Sequence, residues 1–267
     1  LEQHPEHGAR RDRVGGRRKK VKLALVCPHF PPDHCGVGDY TSLLAAELTR
    51  QGHTVCVWTA QESPEQIAGA ERAELRCVPA PWTVLKNGQG LARVASELID
   101  WAPDAVLLQY TPYLYAPCAR RGIQLALPAW TLALRARLRV PVAMVAHELH
   151  YPLGITPDRL FVGTPQFAQF LALASVMDQV FFTYEIPFQR YQRFMPWRSD
   201  RLAWIPVGAN IEPNRSEARE VQALKNDGKK ILLQFGNTHP SRLSVFSFGA
   251  FDECRSQLGK DAVSLVF

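Results

Sequence analysis

The sequence predicts an α/β fold built on a doubly wound parallel sheet, and three observations carry that prediction. Apolar runs of strand length recur through residues 21–206, stretches of helical periodicity separate them, and the first run passes through a glycine turn directly into a helix. Such runs, apolar on consecutive rather than alternate residues, suit strands buried on both faces.

The elements follow in order. A strand is predicted at Val21 to Cys27, and after the turn Tyr40, Leu43, Leu44 and Leu48 form one helical stripe that Gly52 closes. Further strands are predicted at Thr54 to Thr59, Ala105 to Tyr110, Val142 to His147, Gln179 to Tyr184 and Leu202 to Pro206. A second helical stripe joins Phe167, Phe170, Leu171 and Ala174, with Thr164-Pro165 read as N-cap and N1 proline. Ligands of such a sheet bind beyond the carboxyl ends of its strands, where Gly36, Gly38, Tyr110, His147 and Tyr184 are expected to gather. The polar stretch Asn214 to Gly228 then breaks the pattern. A strand from Lys230 to Phe235, a helix from Ser241 to Leu258 and a strand from Ala262 to Phe267 begin a second domain.

The expected organisation is therefore a basic tail over 1–20, a main Rossmann-like domain over 21–212, a linker over 213–229 and the start of another Rossmann-like domain over 230–267. Two strands and a helix cannot close a core alone. With Leu1 rather than Met in first place, the expectation is a fragment with most of the second domain missing.

With 267 residues, 46% of them hydrophobic, the chain can bury one large core or two small ones. Its apolar stretch Ile123 to Leu134 is interrupted by Gln124 and Pro128 and falls short of the roughly twenty residues that span a bilayer. The basic N-terminus lacks a signal peptide's apolar core. A cytoplasmic location is expected. The net charge of +6 would suggest a nucleic-acid partner, yet eight of the 31 basic residues and three of the 25 acidic ones lie in residues 1–22. The rest holds 23 bases against 22 acids, so a solvated tail accounts for the charge and no nucleic-acid partner is expected. Six cysteines without a Cys-x-x-Cys pair read as reduced core thiols.

The turn Pro28-His29-Phe30-Pro31-Pro32-Asp33-His34-Cys35-Gly36-Val37-Gly38-Asp39-Tyr40 carries the first chemical signal. Small residues there let backbone approach an anion, and a helix start directs unpaired N–H groups at it. Gly36, Val37 and Gly38 are the phosphate-binding candidates. Thr41 stands where a dinucleotide fingerprint needs its third glycine, and Trp58-Thr59-Ala60-Gln61 offers no ribose-binding acid, so NAD is disfavoured. Gly38-Asp39-Tyr40 lacks the lysine of a P-loop. Cys27, His29, His34 and Cys35 have no second ligand pair at zinc-finger spacing, and His147-Glu148-Leu149-His150 sets its histidines three apart instead of four. No metal is expected at either place.

In longer context, Leu23-Ala24-Leu25-Val26 through Pro31-Pro32, Gly36-Val37-Gly38-Asp39-Tyr40, Leu43-Leu44-Ala45, Leu48, Gly52-His53 and Val55 to Val57 resembles the opening of the GT-B glycosyltransferases of the retaining GT4 family. Pro103 to Tyr110, Val140 to Glu148 and Ile205 to Asn210 resemble three further landmarks of that family, in its order. The resemblance spans roughly residues 21 to 240 and implies transfer of a sugar from a UDP- or GDP-sugar to an acceptor hydroxyl, with retention and with no cofactor or metal. The acceptor it implies is a glycan or a lipid-linked molecule, which leaves peripheral membrane contact open. Phe188 to Trp197, with Arg190, Arg193 and Arg198, would be a surface for that contact, or a plain amphipathic helix.

On the matched positions, the resemblance implies that His147 faces the acceptor, with Glu148 as an orienting partner. Tyr110, Tyr113 and Tyr115 follow another strand end and are candidates to stack on the acceptor, or equally to pack under a neighbouring loop. The family's second domain adds an Arg and a Lys after its first strand and a pair of glutamates further on. In Phe235-Gly236-Asn237-Thr238-His239-Pro240-Ser241-Arg242 only Arg242 is left to stand in for the basic pair, so this chain alone is expected to be inactive. Two other readings stay open: a non-catalytic binding or scaffold remnant of such a domain, and a Rossmann-type oxidoreductase or methyltransferase.

Overall fold

The structure, a computed structural model, describes residues 19–62, 73–78, 82, 89–115, 121–208, 219–228, 230–233, 244–259 and 263–266. The chain divides into two units, Leu1–Asn210 and Ile211–Phe267. In the first, the elements run β1 (Lys22–Val26), α1 (Gly36–Arg50), β2 (Thr54–Thr59), β3 (Glu74–Cys77), α2 (Gln89–Trp101), β4 (Ala105–Tyr110), α3 (Leu127–Leu138), β5 (Val142–Ala146), α4 (Thr164–Val176), β6 (Gln179–Phe182), α5 (Glu185–Phe194) and β7 (Leu202–Trp204). The second unit contributes α6 (Arg219–Asn226), β8 (Lys230–Leu233), α7 (Ser244–Leu258) and β9 (Val263–Val266), with β8 and β9 paired in parallel. Helix α6 lies inside the polar stretch read as a linker.

All seven strands of the first unit are parallel, in the order β3-β2-β1-β4-β5-β6-β7. The α/β class and the doubly wound parallel sheet are thus as predicted. The order reverses between β1 and β4, and a crevice opens beyond the carboxyl ends of strands at such a point. Both faces of the sheet are covered. Ala24 and Val26 of β1 join a core with Leu91, Val94, Leu98 and Trp101 of α2 and Phe170, Leu173 and Ala174 of α4. Leu25 turns to the other face, against Ala45 of α1, Val55, Val57 and Phe30. That two-sided burial is the reason the strands read as unbroken apolar runs.

Strand β3 escaped prediction because Glu74-Leu75-Arg76-Cys77 is half polar. It forms an edge, with the Glu74 and Arg76 side chains paired at 2.8 Å, and charge on an edge strand blocks pairing with another chain.

Two helix readings need correction. On α1 the buried residues are Gly38, Thr41 and Ala45, whereas Leu43 is half exposed. The helix lies on the sheet through small residues, so its large apolar side chains are not the ones at closest approach. On α4, Thr164 is not an N-cap, because Gly163 before it is already helical (φ −62°, ψ −48°) and a π-helical turn, Arg159–Gly163, leads in. The Thr164 N–H reaches back five residues to the Arg159 carbonyl. This wider register brings the chain into Pro165, which has no N–H to give.

Gly38 carries a packing constraint of its own. A Cβ there would lie 2.9 Å from the His29 carbonyl oxygen and 3.1 Å from Phe30 Cα, both backbone atoms that cannot swing aside. At Gly36 a Cβ would meet nothing within 4 Å. Gly38→Val is therefore expected to lower stability by about 1–3 kcal/mol, the usual range for overpacking, while Gly36→Ala leaves it nearly unchanged. Urea unfolding of the two variants checks this, and equal midpoints would contradict the contact.

Candidate functional site

The site is built from three segments that meet where the strand order reverses. Helix α1 begins at Gly36 immediately after the β1 turn, with Cys35 extended (φ −136°, ψ 111°) and providing no side-chain cap. An uncapped helix start leaves its first N–H groups without intrahelical partners and carries about half a positive charge. Neither Gly36 nor Gly38 has a left-handed backbone; Gly38 is glycine for close packing and Gly36 is exposed over open space.

The second segment is the end of β5. The His147 N–H bonds the Tyr110 carbonyl at 2.9 Å, which sets the residue beside the end of β4. Its Nε2 lies 2.8 Å from Gln109 Oε1, so Nε2 carries the proton and donates it, and Nδ1 is left as an acceptor. Tyr40, from the first turns of α1, meets the imidazole edge to face, with centroids 4.9 Å apart and planes at 76°. Burial lowers the His147 pKa to about 4, so the ring is neutral near pH 7.

The third segment is the end of β4. Gln109 is fully buried, and its Nε2 has no hydrogen-bond partner among the described residues. Sequence reading missed it; its signal was a carboxamide at the end of an otherwise apolar strand. The partner expected for His147 was Glu148. That residue is exposed, and the ring's hydrogen bond goes instead to Gln109 Oε1.

The acceptor-stacking reading is overturned for two of its three tyrosines. Tyr110 and Tyr115 are 1% and 2% exposed and cannot offer a ring face to a ligand. Each is a core residue with a satisfied hydroxyl: Tyr115 donates to the Gln109 carbonyl at 2.9 Å, and Tyr110 accepts from Gln169 Nε2 at 3.1 Å. Desolvation raises both phenol pKa values. Tyr113, between them, is 39% exposed and remains available. Tyr184 stands past the end of β6, exposed, as the residue before α5. Arg242 lies outside the described residues.

In the aromatic and basic stretch, Tyr191 is buried while Phe194 and Trp197 are exposed. Arg198 is structural: its guanidinium donates to the carbonyls of Ala174 and Met177 at the end of α4. Cys27 Sγ donates to the His29 carbonyl and His29 Nδ1 faces Asp33, so the turn's cysteine and histidine are used locally. Among the described residues no three His, Cys, Asp or Glu side chains converge as a metal ion would need. A cavity of about 490 Å³, lined by Arg135, Arg139, Pro141 and Asp178, opens at the amino ends of β5 and β6. It is at the wrong edge of the sheet for this site.

Fold and site together define a doubly wound α/β protein with an uncapped helix start and a neutral histidine at its switch point. Residues 35–208, more than half of the chain, match the model of the glycosyl transferase 4-like domain, and the chain belongs to that family. No curated protein sequence matches it significantly. Among solved structures it is similar to HepE of Anabaena in complex with UDP and glucose, at 12% identity and a TM-score of 0.57 over 92% of this chain and 60% of that one. It is similar also to the α,α-trehalose 6-phosphate synthase of Burkholderia multivorans, at 16% identity and a TM-score of 0.55 over 92% of this chain and 64% of that one. A third is S. aureus MnaA with UDP, at 11% identity and a TM-score of 0.53 over 93% and 62%. The chain spans less than two thirds of the length of each.

The histidine geometry has a spectroscopic consequence. Imidazole nitrogen and carbon shifts are expected to show a neutral, Nε2-protonated ring at pH 7, with a midpoint near 4, and Gln109→Leu is expected to give a mixture of tautomers. Because the folded pKa lies below the ordinary 6.5, the unfolded chain binds the extra proton between those values. Stability contributed by the neutral ring is present above pH 6.5 and lost as the pH falls towards 4. A midpoint near 6.5, or a tautomer indifferent to Gln109→Leu, would contradict the arrangement.

Proposed function

We propose that this chain carries the acceptor side of a retaining glycosyltransferase that moves a sugar from a UDP- or GDP-sugar to an acceptor hydroxyl in glycan or glycoconjugate biosynthesis. The observation that carries the reading is the meeting of an uncapped helix start with a neutral histidine at the switch point of the sheet. Membership of the glycosyl transferase 4-like family supports it, as do structural relatives solved with UDP and with UDP and glucose.

In this reading the bond from the anomeric carbon to the diphosphate breaks while the acceptor oxygen attacks from the same face. Charge accumulates on the leaving diphosphate. The amide groups of Gly36, Val37 and Gly38 face it, and preorganised donors of this kind, each worth roughly 2.7–4 kcal/mol, lower the barrier without reorganising. His147, with Nε2 tied to Gln109, presents Nδ1 as an acceptor for the incoming hydroxyl and holds it on the leaving group's face, and the hydroxyl proton passes to an oxygen of the departing diphosphate. The reaction uses no metal or cofactor. Arg242 is proposed as a further donor contact, and this chain alone is expected to turn over little or no donor.

We place the protein in the cytoplasm, where nucleotide sugars are made. No helix among the described residues is long and apolar enough to cross a membrane. Exposed Phe194 and Trp197 beside Arg190 and Arg193 give a surface that suits peripheral contact with a membrane holding a lipid-linked acceptor.

Assays of the longest native form with a panel of UDP- and GDP-sugars test the reading. His147→Ala is expected to reduce turnover about a hundredfold and leave nucleotide affinity within a few fold. Lost nucleotide affinity with normal saturated turnover would move His147 to the donor side, and absence of transfer from every donor would overturn the activity.

A further inference from the structure

Beyond the ends of β4 and β5, Tyr113, Arg121, Tyr151, Asp158 and Val162 line a cavity of about 230 Å³. We propose that it is a subsite for one neutral pyranose ring of a carbohydrate acceptor, which rests on the sugar-transfer reading above and gives its acceptor a chemical class.

The walls are held from inside. Gln166 of α4 is fully buried and uses both ends of its carboxamide: Oε1 accepts the Tyr151 N–H at 2.6 Å, and Nε2 donates to the Arg121 carbonyl at 2.5 Å. One side chain thus ties together the two loops that supply Tyr151 and Arg121. Gly122 is left-handed (φ 70°), and a Cβ on it would press to 2.9 Å from Gln166 Nε2 and 3.0 Å from Pro112. Gly163, in the π-helical turn, comes closer still, with a Cβ position 2.6 Å from the Pro152 carbonyl oxygen. Two glycines and a buried amide therefore set the loops in place before any ligand arrives, and preorganisation lowers the entropic cost of binding. The π turn that ends at Gly163 also supplies Val162, 5% exposed, to the lining; such turns recur at functional sites.

The lining chooses the ligand. Tyr113 and Tyr151 are 39% and 41% exposed and have ring surface to offer to the C–H face of a sugar. Arg121 Nη1 and Asp158 Oδ1 stand 3.2 Å apart, a donor and an acceptor side by side, which suits neighbouring hydroxyls that must both give and receive hydrogen bonds. Because the two charges offset each other, the pocket favours a neutral ring over a phosphate. At about 230 Å³ it lies below the roughly 300–1,000 Å³ of sites for drug-sized ligands and is on the scale of one sugar ring.

Saturation-transfer NMR on the full chain tests this with methyl α- and β-glycosides of glucose, galactose, mannose and N-acetylglucosamine at millimolar concentration. The expected result is transfer to the ring protons of at least one glycoside, lost in Tyr151→Ala and in Arg121→Ala and retained in Tyr151→Phe. Cooperative unfolding of each variant is the control for folding. No transfer from any glycoside, or transfer unchanged in both alanine variants, overturns the subsite. Donor turnover is measured separately, so failure of the sugar-transfer reading shows there and failure of the subsite shows in the NMR experiment.

Discussion

The contact of Gly38 with the backbone of His29 and Phe30 determines where the amino end of α1 can stand. With no side chain at that position, the helix lies against the turn that leaves β1, and its first amides reach the edge where the strand order reverses. A larger residue would lift the helix away from the turn. Tyr40, two residues on, would then leave the face of His147, and the helix start and the histidine would no longer share one site. The protein's candidate chemistry thus rests on a packing constraint that has no chemistry of its own.

Buried carboxamides do the rest of the positioning. Gln109, Gln166 and Gln169 are at most 1% exposed, in places where apolar side chains would be the ordinary choice. A buried amide is costly unless it is bonded, so each bonded end fixes its partner closely, while Gln109 Nε2 has no partner among the described residues. Gln109 sets the imidazole of His147, Gln166 joins the loops at Arg121 and Tyr151, and Gln169 binds the Gln124 N–H and the Tyr110 hydroxyl. The exposed groups at the carboxyl edge stand on a scaffold of internal hydrogen bonds.

Much of the fold was legible because burial on both faces leaves a plain signature: β1, β2, β4, β5 and β6 appear as apolar runs, and all five fall where those runs are. Strand β3 was hidden by Glu74 and Arg76, since an edge strand needs only one apolar flank. On α1, periodicity pointed to the leucines, but closeness to the sheet favoured Gly38, Thr41 and Ala45, which periodicity does not weigh. Gly36, Val37, Gly38 and His147 could be placed at element ends from the sequence. The role of Gln109 could not be read there, because it is a bond across two strands thirty-eight residues apart. Tyr110 and Tyr115 misled for a related reason: sequence places an aromatic near a strand end but does not say whether its ring turns in or out.

The central claim is that the amino end of α1 and His147 form one anion-receptive site at the switch point. Amide and imidazole NMR of the full chain during titration with UDP and GDP at millimolar concentration tests it most directly. The expected result is that the amide signals of Gly36, Val37 and Gly38 and the ring signals of His147 move together along one saturating curve. Shifts confined to Arg135, Arg139 and Asp178 around the cavity at the opposite edge, with the α1 start unmoved, would contradict it.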